Sequence, residues 1–274
     1  MTKGVLIFAL NDGFDYQSIA YIAAKRVKQH LQLPITMVTN VTPPDNIVEI
    51  FDKIIICFEN FTQTRTVQDG QESNKINWLN FSRFSAYELT PYDETLVIDA
   101  DYLINTDFLK ICFEINKDFL IYNDSFDVSY HRLNSEFKYI NEFSIPFYWA
   151  TVFYFKKTKL NESFFKLIEF IRDNWQYYRL LYQITESKFR NDFAFSIAIH
   201  LLHKHILSEK FYLIPGKMIY SLDKDILVDI NENKFKFLVE KQDYHGEYTL
   251  LKVEGLDVHV MNKFSLERFI KGFK

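Results

Sequence analysis

The chain has 274 residues, 48% of them hydrophobic and 25% charged, and its 32 basic against 36 acidic side chains leave a formal net charge of −4. This composition excludes intrinsic disorder, and the charge balance excludes attraction of nucleic acid or an anionic membrane through a global basic field. Cys57 and Cys112 are too few for a disulfide framework, no secretory signal is read at the start, and the longest nearly apolar run, 145–155, is too short to span a bilayer, so the expected location is the cytoplasm.

Residues 4–10 are continuously apolar, the pattern of a strand buried on both faces, and Asn11-Asp12-Gly13 after it is a turn signal. Ile19, Ile22, Ala23, Val27 and Leu31 fall at helical spacing, which predicts a helix over 18–31 closed by Pro34. Strands are predicted at 35–39 and 53–58, a helix at 78–89 and a fourth strand at 95–98. Such alternation predicts an α/β chain with a mostly parallel central sheet flanked by helices. Beyond residue 107 the pattern mixes, with strands at 119–122 and 150–155, helices at 161–183 and 192–207, and short strand-like runs over 211–260. Ser265 then reads as the N-cap of a last short helix, 265–269. No linker or repeat interrupts the chain, which reads as one domain over 1–274 with a β-rich insertion around 217–256.

The seven glycines are never closer together than nine positions. Neither a G-x-G-x-x-G turn nor a G-x-x-x-x-G-K-[ST] loop can be written anywhere, although both use backbone N–H groups to cradle phosphates. A nucleotide bound here needs another partner for its phosphates, such as a metal ion or side-chain cations.

The most informative stretch is Thr95-Leu96-Val97-Ile98-Asp99-Ala100-Asp101. In extended chain, residues i and i+2 point the same way, so Asp99 and Asp101 converge at the carboxyl end of a buried strand. Open α/β sheets bind ligands there, and two hard oxygen ligands suit Mg²⁺ or Mn²⁺. The plain alternative is a polar strand end. A phosphatase of the haloacid dehalogenase type uses the same spacing on its first strand, whereas here it falls on a later one. Other residues also read two ways when taken singly: His259 as a ligand or a solvent-facing strand residue, Asp192 as a site residue or an N-cap, Lys263 and Arg83 as site cations or solvated side chains. Arg65 falls in a polar loop with no assigned role. His200, His203 and His205 do not share one helix face and read as amphipathic-helix residues rather than a metal cluster.

Lys75, Trp78 and Arg83, followed by Tyr87 through the Pro91-containing turn to Asp99-Ala100-Asp101, resemble the central segment of GT-A glycosyltransferases. The likeness is to family 8, the glycogenin and lipopolysaccharide galactosyltransferase group, in which a basic helix precedes the turn, the strand and the metal-binding Asp-x-Asp. Ala9, Asn11 and Asp12, with Tyr16 beyond, resemble the segment that holds the uridine, and Lys75 falls among the donor-binding residues this resemblance implies. Trp149-Ala150-Thr151 resembles the strand after the metal motif, where the family has Asn-Ala-Gly. Asn191-Asp192 resembles the site near sugar and acceptor; Val258 to Lys263 resembles the C-terminal segment with the third metal ligand, His259, and a phosphate-contacting lysine, Lys263.

The resemblance implies a GT-A fold and transfer of a sugar from a nucleotide donor, a UDP-sugar in that family, to a hydroxyl. Charge developing on the leaving diphosphate is offset by Mn²⁺ or Mg²⁺ held by Asp99, Asp101 and His259, with Lys263 adding positive charge. In this expectation Asp192 orients the acceptor hydroxyl, or acts as base if the reaction inverts the anomeric centre, and Arg83 pairs with site carboxylates or reaches the donor sugar. The acceptor stays open among a glycan, a protein and a hydroxylated base in DNA. Two other classes also stay open: a nucleotidyltransferase or phosphohydrolase using the same metal, and a non-catalytic sugar-binding protein.

Overall fold

The structure, a computed structural model, describes residues 1–57, 63–79, 83–132, 137–142, 144–203, 211–231 and 233–272. The first part of the chain comprises β1 (Lys3–Phe8), α1 (Tyr16–His30), β2 (Ile35–Thr39), α2 (Asp45–Val48) and β3 (Lys53–Ile56). A hairpin, β4 (Gln63–Asp69) and β5 (Glu72–Trp78), leads through a helical turn at Arg83–Ser85 to α3 (Ala86–Leu89) and β6 (Glu94–Asp99). The middle holds β7 (Tyr102–Leu103), β8 (Phe119–Tyr122), β9 (Ser125–Asp127), β10 (Trp149–Lys156), α4 (Lys159–Asp173), α5 (Trp175–Leu181) and α6 (Asn191–His203). The last part runs through β11 (Phe211–Leu213), β12 (Met218–Ser221), β13 (Ile226–Asn231), β14 (Lys234–Lys241), β15 (Tyr244–Glu254), β16 (Val258–Val260) and α7 (Lys263–Gly272).

The main sheet has the order β11-β8-β10-β6-β1-β2-β3. Strands β6, β1, β2 and β3 are parallel, β10 runs antiparallel between β6 and β8, and β11 is parallel to β8. This is the mixed α/β architecture, mostly parallel and flanked by helices, that the strand–helix alternation predicts. Its central strands are apolar on both faces because helices cover both: Val5, Leu6, Leu96 and Val97 are fully buried, as are Ile19, Ala23 and Val27 of α1. Phe153 of β10 packs against Phe195 of α6 and Phe165 of α4. Gly4 is required by a close approach, since a Cβ there would lie 2.3 Å from the Tyr92 ring. Tyr92 in turn accepts a hydrogen bond from the Thr36 hydroxyl at 2.9 Å, which closes the start of β1 over β2.

Two smaller sheets flank this core: β7-β16-β12-β9, and the antiparallel meander β13-β14-β15 that lies in sequence between β12 and β16. Several local expectations are corrected. Residues 78–89 are not one helix, because Trp78 ends the β4–β5 hairpin and helical geometry appears only from Arg83, with 80–82 outside the described residues. Arg65 therefore lies on a strand rather than in a loop. The helix predicted over 161–183 breaks at Asn174, whose backbone leaves the helical region and whose side chain donates back to Phe170 O. α1 begins at Tyr16, earlier than predicted, because Asp15 accepts from Ser18 N at 3.0 Å and caps it. At α7 the cap is Asn262, which accepts from Ser265 N at 2.9 Å, so Ser265 lies inside the helix instead of starting it. The helix predicted to 207 is described to His203; His205 lies outside the described residues.

Candidate active site

Phe8 of β1 and Asp99 of β6 are register partners, so the two central parallel strands end side by side and open a cleft at their carboxyl edge. After Asp99 the chain turns through Ala100 and Asp101 into β7, which pairs antiparallel with β16 and sets His259 opposite Tyr102. Val260 N donates to Asp101 O at 2.9 Å, which locks this corner. His259 Nε2 consequently lies 3.2 Å from Asp101 Oδ1 and 3.9 Å from Asp99 Oδ2. One ligand atom from each of Asp99, Asp101 and His259 lies within 4.8 Å of the others.

Cations surround this group. Lys263, the first residue of α7, places Nζ 2.6 Å from Asp101 Oδ2, and Arg83, just before α3, is bonded to Asp99 Oδ1. A lysine at a helix N-terminus is unfavourable in itself, because that end already carries partial positive charge; Asp101 supplies the offset. Burial is the largest influence on Asp99, and with repulsion from Asp101 it outweighs the pull of Arg83, so its carboxyl is pushed up to about 6. Burial pushes Asp101 the same way, but Lys263 and His259 outweigh it and hold that carboxyl well below the usual range. Two neighbouring carboxylates thus titrate in opposite directions, as close acidic pairs do. Burial, and next the charge of Asp101, raise the Tyr16 phenol.

One pocket takes in Asp99, Asp101, His259, Lys263, Arg83, Asp192 and Tyr16. His259, Lys263 and Arg83 are withdrawn from water rather than solvated. Asp192 does not cap α6; its Oδ1 accepts from Ala150 N at 2.9 Å and its Oδ2 from Arg190 at 2.8 Å, so the carboxylate is held against the start of β10. Trp149 and Thr151 on either side of Ala150 line the same pocket.

Four residues expected at the site are not among its lining. Ala9 is fully buried in the sheet, with its N–H on Val38 O. Asn11 uses its backbone N–H and side chain on Asn40 and on the N–H of Gln17, and Asp12 follows it in the same turn; neither lines the pocket. Lys75 is exposed on β5 and lies outside it, because the basic helix implied by the resemblance is a hairpin strand in this chain. Conversely, Arg65, Leu79, Arg190 and Met261 line the pocket without having been assigned to it. The only local signal for Arg190 is its place directly before Asn191-Asp192. Among the described residues, no helix is long and apolar enough to cross a membrane.

The donor set suits a divalent cation: a half-buried carboxylate, a buried one and an imidazole nitrogen face one another, and the His259 Nδ1 on the far side of the ring has no hydrogen-bond partner among the described residues. Hard oxygen donors suit Mg²⁺ and Mn²⁺ alike, and the imidazole tilts the set toward Mn²⁺.

No family model and no curated protein matches the chain in sequence. Its fold is similar to that of the glycosyltransferase GlyE of Streptococcus pneumoniae, with 15% identity, a TM-score of 0.44, and coverage of 78% of this chain and 45% of that one. It is also similar to the galactosyltransferase LgtC solved with donor and acceptor sugar analogs, with 13% identity, a TM-score of 0.46, and coverage of 77% and 72%. A third similar structure is 4-diphosphocytidyl-2C-methyl-D-erythritolsynthase from Anaerococcus prevotii, with 17% identity, a TM-score of 0.42, and coverage of 77% and 87%. The chain thus spans less than half the length of GlyE. At these identities and scores the likeness is one of chain path and assigns no substrate.

Proposed function

We propose that the chain is a metal-dependent glycosyltransferase that moves a sugar from a nucleotide-sugar donor, a UDP-sugar by its family resemblance, to an acceptor hydroxyl. The observation that carries this reading is the convergence of Asp99, Asp101 and His259 with Lys263 and Arg83 in one pocket at the carboxyl edge of β6. In this reading residues 1–274 are one catalytic domain, with the β13–β15 meander as an insertion, working in the cytoplasm.

Asp99, Asp101 and His259 hold the cation. A bound divalent ion supplies positive charge to the phosphate oxygens of the leaving group. Lys263 and Arg83 add fixed positive charge beside them, where burial makes each charge count for more than it does in water. Tyr16 lines the side on which the nucleotide is expected. Asp192, with both oxygens already oriented by Ala150 N–H and Arg190, keeps lone pairs free to accept a hydrogen bond from a sugar or acceptor hydroxyl, and acts as a positioning group.

The deciding experiment is incubation of the protein with UDP-sugars and Mn²⁺, followed by product analysis. Free UDP that appears only with metal and with intact Asp99 and Asp101 supports glycosyl transfer. Pyrophosphate formed from a nucleoside triphosphate and a sugar phosphate identifies a nucleotidyltransferase. Binding of nucleotide sugar without either product identifies a binding protein. A panel of glycans, proteins and hydroxylated DNA then selects the acceptor.

A further inference from the structure

Beside the metal group the pocket holds a second charged pair, Arg190 and Asp192. Arg190 Nη2 donates to Asp192 Oδ2 at 2.8 Å, and the guanidinium carbon lies 5.4 Å from the centre of the Phe193 ring. Asp192 is itself held by Ala150 N. The guanidinium is thus fixed in one orientation, yet its Nε and Nη1 bond nothing among the described residues, and the side chain is 33% exposed. One edge of a planar fork that matches a carboxylate stays open. The pair is close to the metal group, because the charge of Asp192 acts on the Asp99 carboxyl.

The described residues lining the pocket carry four permanent cations, Arg65, Arg83, Arg190 and Lys263, against three carboxylates, Asp99, Asp101 and Asp192. His259 counts as neutral when it serves as a metal ligand. A divalent ion and the diphosphate of a nucleotide sugar cancel each other, so one positive charge is left over. Arg83 and Lys263 answer Asp99 and Asp101, and the surplus falls on the side of Arg65 and Arg190. Lys188 Nζ donates to Thr64 O, which sets β4, the strand of Arg65, against the segment leading to Arg190.

Resting on the nucleotide-sugar reading above, we propose that Arg190 selects the transferred sugar and that this sugar is a uronic acid, whose C6 carboxylate takes the open edge of the guanidinium. Asp192 orients the fork, and its remaining lone pairs accept from ring hydroxyls. A neutral hexose presents a hydroxymethyl group at C6, which cannot accept two charge-assisted bonds and leaves the surplus charge unanswered where water screens poorly. The sugar of the donor meets this pair, because the pair shares one pocket with the groups that hold its diphosphate.

The test is equilibrium binding to the intact chain by calorimetry in Mn²⁺, with no acceptor present. The probes are UDP-glucuronate against UDP-glucose and UDP-galacturonate against UDP-galactose, each pair differing only at C6, with UDP as the reference. In at least one pair the uronate is expected to bind about tenfold tighter or more, the scale of hydrogen bonds to a charged group. Arg190→Gln, checked for an unchanged far-ultraviolet spectrum, is expected to lose that preference and keep the affinity for UDP; Arg190→Lys, which retains charge without the fork, should keep part of it. Equal affinity within both pairs overturns the proposal, as does a preference that survives in Arg190→Gln. An arginine that only supports the fold would weaken UDP and every sugar alike when replaced, which also overturns it. So does selection of an anionic acceptor with no selection among donors. Uronate preference without any sugar transfer would retire the proposed reaction and leave this inference standing, whereas transfer of a neutral sugar without that preference would do the reverse.

Discussion

His259 reaches Asp101 through backbone pairing: Tyr102 and His259 are register partners, Val260 N–H is bonded to Asp101 O, and the imidazole Nε2 is left 3.2 Å from the carboxylate. Residues separated by more than half the chain therefore meet with little freedom of their own to lose, which is how a metal site is preorganised.

Asp101→Ala removes a proposed metal ligand and leaves the Lys263 ammonium buried without its carboxylate. Breaking a buried pair from one side costs about 3–5 kcal/mol. Denaturant unfolding should show a loss of that order, Lys263→Met added to it should recover part of the loss, and metal-dependent activity should fall by roughly 100-fold or more. Unchanged stability in Asp101→Ala would mean that the pair is not buried in solution.

His259→Gln replaces the imidazole with an oxygen donor. The preference for Mn²⁺ over Mg²⁺ should shrink by about tenfold while the fold persists, since nitrogen donors favour later transition metals. The measurement is the ratio of the two ion affinities in the presence of UDP. A ratio equal to that of the parent would place His259 outside the coordination sphere.

Metal binding should depend on pH through Asp99. Its carboxyl is pushed up to about 6 by burial and by Asp101, against the pull of Arg83. The ion competes with the proton, so Mn²⁺ affinity should climb as pH rises to about 6 and level off above it. Asp99→Asn should bind more weakly and lose the part of the climb that this carboxyl contributes.

Stability should depend on pH through Asp225, which is 1% exposed and whose carboxyl burial pushes up to about 7. Leu222 N donates to its Oδ2 at 2.8 Å. An acid raised above its unfolded value of about 3.9 binds its proton more firmly in the native state, so stability falls as pH climbs from about 4 to 7. Asp225→Asn keeps the acceptor and removes the titration; its unfolding free energy should decline less over that range than the parent's.

Much of the fold is legible in the sequence because β1, β2 and β6 are buried on both faces and are mostly apolar, with Thr36 the one polar residue inside β2 and Leu96-Val97-Ile98 continuous in β6. The β4–β5 hairpin is harder to read. It is half exposed, its residues are mostly polar, and its one sharp local signal is Asp69-Gly70 at the turn, where Gly70 has φ +61°. Missing the hairpin hides Arg65 and misplaces Lys75. Asp99 and Asp101 are readable from their Asp-x-Asp spacing at the end of an apolar strand, although β6 ends at Asp99 and a turn, rather than the extended chain expected, carries Asp101 to the site. His259 and Lys263 come from a pairing between distant strands that no local pattern encodes, and only family resemblance points to them. Asn11 and Asp12 look available in a turn motif, but the side chain of Asn11 is committed to the N–H of Gln17.

At the tip of that hairpin, Asp69 bonds both Arg268 of α7 and Asn262, the residue that caps α7 beside Lys263. The wall bearing Arg65 and the helix bearing Lys263 are thereby riveted into one frame by an acid that touches no ligand. A chain with this ribbon shortened is expected to retain Asp99, Asp101, His259 and Lys263 and still lose the alignment between them.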